Sequence, residues 1–110
     1  MTLSERIKKL YDEIGNPTIK KHYEYIMRTS PYENVRDVKY PQTLVRASVH
    51  DIRTPYWEAA KWVARLRAKG KGGPIFFKCE LDGGHFGKSG RYEWIKEKAF
   101  DYAFLLHSLQ

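Results

Sequence analysis

The sequence predicts an α/β domain: two parallel strands with flanking helices. Two observations lead there. Strand-like and helix-like segments alternate through the second half of the chain, the order of a parallel sheet with right-handed crossovers. With 110 residues, 42% of them hydrophobic and 15% aromatic, the chain has room for one small domain and enough apolar side chains to demand a packed core. A parallel sheet of two strands is not self-sufficient, because its strands need neighbours at both edges and cover on both faces. The expectation is therefore a single partial domain over residues 1–110, the end of a larger sheet.

The elements follow in order. Leu3, Ile7, Leu10 and Tyr11 recur at helical spacing over residues 3–12, and Gly15-Asn16-Pro17 supplies a stop and a turn. A second helix is expected from Ile19 to Met27, with Thr18 as its N-cap and Ser30-Pro31-Tyr32 as its end. Residues 31–41 read as loop, closing on Tyr40-Pro41. Thr43 to Val49 then alternates as a strand, Val45, Ala47 and Val49 facing one way and Leu44, Arg46 and Ser48 the other. Arg46 puts a charge where a central parallel strand is normally neutral, and burying it unpaired would be costly.

After Pro55, the apolar positions Tyr56, Ala59, Ala60, Val63 and Leu66 mark the buried stripe of a helix, which Gly70, Gly72 and Gly73 end. Ile75 to Leu81 is the second strand, with Ile75, Phe77, Cys79 and Leu81 on one face. A last helix runs from about Tyr92 to Leu109 and carries Trp94, Phe100, Tyr102 and Phe104.

Composition narrows the function classes. No apolar run of 18 residues exists, so no membrane span is expected, and Met1-Thr2-Leu3-Ser4-Glu5-Arg6 has no apolar stretch of the signal-peptide kind. The single cysteine, Cys79, cannot close an internal disulfide and reads as a reduced thiol, which points to the cytosol. The net charge of +7 raises nucleic-acid binding. Its centre is the run holding Lys61, Arg65, Arg67, Lys69, Lys71 and Lys78, with no acid among them. The first four are spaced as the outer face of a helix, and aromatics are not interleaved as a stacking platform requires. Nucleic acid is therefore not an expected partner. His22, His50, His85 and His107 lie far apart in sequence, and Cys79 has no second thiol at ligand spacing, so neither metal nor cofactor is expected.

Two stretches carry candidate chemistry: Val49-His50-Asp51-Ile52-Arg53 and Gly83-Gly84-His85-Phe86-Gly87-Lys88-Ser89-Gly90. Each places one side chain, Asp51 or His85, just past the carboxyl end of a strand, where open α/β sheets gather reactive groups. Triads on such sheets run Ser, Asp, His along the chain, and the last two are present in that order. A carboxylate bonded to one imidazole nitrogen fixes the tautomer and leaves the other nitrogen to take a serine proton. The glycines around His85 permit a tight turn that aims the ring outward. Residues alone leave a second reading open, with Asp51 a cap near the helix start and His85 an ordinary loop residue.

From Asp12 to Gln110 the chain resembles the carboxyl-terminal part of the prolyl oligopeptidase family, nearest to its oligopeptidase B branch. The matching words are Gly15-Asn16-Pro17, Tyr23-Glu24-Tyr25, Ser30-Pro31-Tyr32-Glu33-Asn34-Val35, Tyr40-Pro41, His50-Asp51-Ile52-Arg53, the stretch from Tyr56-Trp57 to Leu66-Arg67, Gly84-His85-Phe86-Gly87-Lys88-Ser89-Gly90-Arg91 and Tyr102-Ala103-Phe104. The resemblance implies the end of an α/β-hydrolase catalytic domain, which the family caps with a β-propeller. It also implies cytosolic serine-peptidase chemistry on peptides without a cofactor. By position, Asp51 and His85 match the triad acid and base, and Arg53 matches an arginine that binds the substrate backbone. Asp12 and Glu13 lie where the branch's acidic residues help to hold a basic side chain.

The departures are as informative. No Gly-x-Ser-x-Gly elbow is present, and Ser4, Ser30, Ser48, Ser89 and Ser108 all lack its context. The expectation is a serine-type oligopeptidase fragment that supplies the triad acid and base and is inactive alone. The alternative is a non-catalytic remnant that binds other proteins. Its partners would be the missing part of the catalytic domain or another open sheet edge.

Overall fold

The computed structural model describes residues 1–81 and 91–110, so the expectations placed on His85 and its glycine-rich neighbours lie outside the described residues. The chain divides into two compact units, Met1–Val35 and Arg36–Gln110.

The first unit holds two helices, α1 (Leu3–Ile14) and α2 (Lys20–Thr29). A capping box starts α1: the Thr2 N–H donates to Glu5 Oε2 at 2.7 Å, and the Glu5 N–H donates to Thr2 Oγ1 at 3.2 Å. Gly15, at φ +109°, ends the helix, and its N–H returns to the Tyr11 carbonyl. Thr18 is not the N-cap of α2, contrary to expectation; Ile19 takes that place without a side-chain cap. The reason is local competition. The Thr18 N–H and hydroxyl both donate to Asn16 Oδ1, at 3.0 and 2.7 Å, so Thr18 belongs to an Asx turn. The Asn16 N–H donates in turn to His22 Nδ1 at 3.0 Å. Neither helix buries a residue, although Leu3, Ile7, Leu10 and Ile14 line one side of α1.

The second unit is the α/β part. Strand β2 (Thr43–Ser48) pairs in parallel with β4 (Ile75–Glu80), Thr43 facing Ile75 and Ser48 facing Glu80. Two further strands were read from sequence as loop and helix end: β1 (Lys39–Tyr40) and β3 (Lys71–Gly72). They also pair in parallel, Lys39 facing Lys71, at the same sequence offset as β2 and β4. The two pairs therefore form one ladder interrupted at Pro41 and Pro74, which have no N–H to contribute to it. Gly72 needs its freedom here, with φ at +137° and the Tyr40 carbonyl oxygen 2.4 Å from where a Cβ would sit.

Helix α3 (Tyr56–Lys69) joins β2 to β4, the crossover the alternation predicts, and packs against both strands. It buries Val63 and Leu66, 2% and 4% exposed. At its end the Arg67 guanidinium donates to the Ile75 carbonyl at 2.6 and 3.1 Å. Helix α4 (Arg91–Ser108) lies over the even-numbered residues of the sheet. Phe104 meets Phe76 edge to face at 6.0 Å, and the Lys78 ammonium sits 3.9 Å from the centre of the Phe100 ring.

Arg46 reaches the same helix. Its guanidinium lies 3.1 Å from Asp101 and 3.4 Å from Glu97, which resolves the charge that the strand would otherwise bury unpaired. Two cations of the basic run also have acid partners within the fold, Lys71 with Asp37 at 3.3 Å and Lys78 with Glu80 at 3.4 Å. None of the helices is long and apolar enough to cross a membrane, among the described residues.

Candidate functional site

The site is built on the turn that follows β2. The last ladder bond runs from the Val49 N–H to the Glu80 carbonyl at 2.9 Å, after which β2 leaves the sheet. The Asp51 N–H then donates back to the Ser48 carbonyl at 3.2 Å, turning the chain so that Asp51 stands at the carboxyl end of its strand. Three donors converge on the half-buried Asp51 carboxylate. The backbone N–H groups of Arg53 and Thr54 reach Oδ1 at 2.9 and 3.1 Å, and the Thr54 hydroxyl reaches Oδ2 at 2.9 Å. Hydrogen bonds to an ionised carboxylate favour its charged form and fix its plane. The Asp51 carboxylate is thus held in place by the turn. Pro55 then starts α3, so the whole turn is tied to a strand on one side and a helix on the other.

Arg53 follows two residues later. Its backbone serves Asp51 while its side chain is exposed. Ile52 between them is 94% exposed. Strand β4, parallel and adjacent to β2, ends at Glu80 and leads into the segment that carries His85, itself outside the described residues. Asp12 and Glu13 close α1 in the first unit, both exposed, and line an open hollow of about 360 Å³ with Lys21, His22, Tyr25 and Arg28. Asp51 and Arg53 are therefore joined in one turn, whereas Asp12 and Glu13 belong to the other unit.

Thr54 was missed in the sequence. Its signal was the spacing Asp-x-x-Thr just ahead of a helix, the pattern by which a side chain and the backbone three residues on satisfy each other. Among the described residues, no group of three His, Cys, Asp or Glu side chains could hold a metal ion.

The chain's likeness to known proteins agrees with this geometry. Residues 1–110 match the prolyl oligopeptidase family along their whole length. Dipeptidyl aminopeptidase BI of Pseudoxanthomonas mexicana is 45% identical over 100 residues, covering 90% of this chain and 14% of that protein. Protease 2 of Moraxella lacunata is 44% identical with the same coverage. Oligopeptidase B from Leishmania major superposes with a TM-score of 0.83 at 40% identity, over 86% of this chain and 13% of that one. Oligopeptidase B from Trypanosoma brucei, solved in a closed form with covalently bound antipain, superposes with a TM-score of 0.82 at 40% identity. The chain spans about one seventh of the length of these relatives, with the fold of that part of their α/β-hydrolase catalytic domain. On its sequence and its fold alike, this chain belongs to the prolyl oligopeptidase family of serine peptidases, of which it represents a short part.

Proposed function

We propose that the chain supplies the acid, Asp51, and the base, His85, of a serine-peptidase triad, with Arg53 binding the substrate backbone and Asp12 and Glu13 favouring a basic side chain. The observation that carries this reading is the Asp51 carboxylate, which accepts hydrogen bonds from Arg53 and Thr54 at the carboxyl end of β2. An imidazole beside it would be fixed in one tautomer and stabilised when protonated, which is the task of a triad acid. His85 follows the end of the neighbouring parallel strand, where the chain can bring it to Asp51. The substrate is a peptide, and the location the cytosol.

The sequence contains no nucleophile elbow, so the serine comes from another polypeptide or from a preceding segment. The chain alone is an inert piece. The hydrogen bonding of the sheet supports one joining place for the remainder. Thr43 donates to Pro74 and Val49 to Glu80, so the odd residues of β2 face β4, while Leu44 and Arg46 turn their N–H and C=O groups to the outer edge. At the outer edge of β4, Arg67 already occupies the Ile75 carbonyl. The β2 edge is accordingly where a further strand adds. The exposed apolar side chains at this end of the molecule, Trp57 and Leu81 among them, also suit the second reading, a non-catalytic remnant that binds protein through this edge.

The test is hydrolysis of a fluorogenic peptide amide. The purified chain gives no turnover and no labelling by a fluorophosphonate. Adding the upstream catalytic fragment of a relative restores turnover, and His85→Ala abolishes it. Turnover by the chain alone, or restored turnover indifferent to His85→Ala, would refute the assignment. Binding of the fragment without any turnover would favour the remnant.

A further inference from the structure

The connection between α1 and α2 is closed by a histidine. Asn16 is bonded there through its carbonyl, its side chain and its N–H. The carbonyl accepts from the Ile19 N–H at 3.0 Å, the side chain accepts twice from Thr18, and the N–H donates to His22 Nδ1 at 3.0 Å. The last of these spans six residues and ties the first turn of α2 back to the residue after the Gly15 cap. The imidazole stands where a capping box would place a carboxylate, at the third position of a helix whose N-cap, Ile19, has no side-chain acceptor. Gly15 allows it to come close: a Cβ there would lie 3.3 Å from His22 Cβ and 3.5 Å from Cγ.

An imidazole nitrogen accepts a hydrogen bond only while it carries no proton, so this bond selects the neutral ring with its proton on Nε2. We infer that His22 is an acid-sensitive latch on the α1–α2 turn: the neutral ring closes it, and the imidazolium, a donor at both nitrogens, releases the Asn16 N–H. The surrounding charges pull in opposite directions. Asp12 and Glu13 of α1 and Lys21 and Arg28 of α2 line one hollow with the ring, together with Tyr11 and Tyr25. Two acids that favour the imidazolium are thus set against two cations that oppose it, all four exposed and weak in their effect. A charge on His22 would also oppose the helix dipole, in a first turn that already holds Lys20 and Lys21 and no acid. What protonation changes outright is Nδ1, from acceptor to donor. Neither helix buries a residue, so the closure of the turn depends on its own bonds. The latch is separate from the triad reading and stands without it.

The test is NMR on the full chain at about pH 8 and about pH 5, the interval over which histidine side chains change charge. At the higher pH the His22 ring should carry its proton on Nε2, and the Asn16 amide should exchange more slowly than in an unstructured peptide. At the lower pH that protection should fall about fivefold, the size of one net hydrogen bond. His22→Asn, which keeps an acceptor near the place of Nδ1 and does not titrate, should hold the protection at both pH values. His22→Phe, a ring without an acceptor, should lack it at both. A proton on Nδ1 at the higher pH, or protection in the parent that is indifferent to acid, would overturn the inference. So would an asparagine variant that responds to acid as the parent does, or a phenylalanine variant that keeps the protection. The two readouts on the parent decide the matter even should a variant fail to fold.

Discussion

Replacing Arg46 by methionine is the most direct probe of what holds α4 to the sheet. The guanidinium spans two acids on that helix, one turn apart: Nη2 lies 3.4 Å from Glu97 Oε1, and Nη1 lies 3.1 and 3.3 Å from the two Asp101 oxygens. The environments of the two acids differ. The Glu97 side chain is 9% exposed, whereas those of Asp101 and Arg46 are 26% and 27% exposed. Breaking a fully buried pair costs about 3–5 kcal/mol, since it leaves a buried charge without its counter-ion. A solvent-exposed pair contributes only about 0.2–1 kcal/mol.

Glu97 stands near the first limit and Asp101 between the two. The Arg46 Nε–H is also buried with no acceptor among the described residues, which lowers the net worth of the cluster. The balance is a loss of about 2 kcal/mol for Arg46→Met. Urea unfolding followed by tryptophan fluorescence reads this unit alone, because Trp57, Trp62 and Trp94 all lie between Arg36 and Gln110. With a slope near 1 kcal/mol per M for a small unit, the midpoint should fall by about 2 M. A midpoint within about 0.5 M of the parent for Arg46→Met would refute the reasoning.

Two further outcomes follow from the ladder. Gly72→Ala should destabilise the second unit by more than about 1 kcal/mol in the same urea assay, since φ is +137° and the new Cβ would meet the Tyr40 carbonyl oxygen at 2.4 Å. Leu44→Pro should leave the β2–β4 pairing intact, because the N–H it removes faces the outer edge, yet weaken association with an upstream fragment at least tenfold relative to Leu44→Ala. Equal binding by the two Leu44 variants, measured by calorimetry, would show that the edge is not the docking site.

Much of this was legible in the sequence because the signals were periodic. The alternation in Thr43–Ser48 and Ile75–Glu80 and the stripe in Tyr56–Lys69 reported burial on one face, and burial is what orders those segments. The illegible parts depended on partners distant in sequence or on competition at a single atom. The pairing of β1 with β3 covers two residues on each side and has no period to read; it exists because the longer strands beside it already fix the register. Thr18 has the composition of an N-cap, but Asn16 is closer and takes both its donors. Arg46 could be recognised as needing acids, while which ones depended on how α4 lies across the sheet.

The same division explains how so short a part of a peptidase domain keeps an ordered piece of the site. Three bonds to Asp51 come from within three residues of it, so this part of its geometry depends on a turn, the end of β2 and the start of α3, all encoded locally. Burial across the described residues is a different matter. Among the described residues only Val35, Val63 and Leu66 are buried apolar side chains, while large hydrophobic residues such as Trp57, Leu81, Trp94 and Leu106 remain exposed. Local bonds fix a carboxylate, but they do not exclude water from it, and excluding water is what lets a charged acid act strongly on an imidazole. The turn therefore fixes part of the orientation of the proposed acid. On the proposed reading, the rest of the domain would supply both the low-dielectric surroundings and the nucleophile.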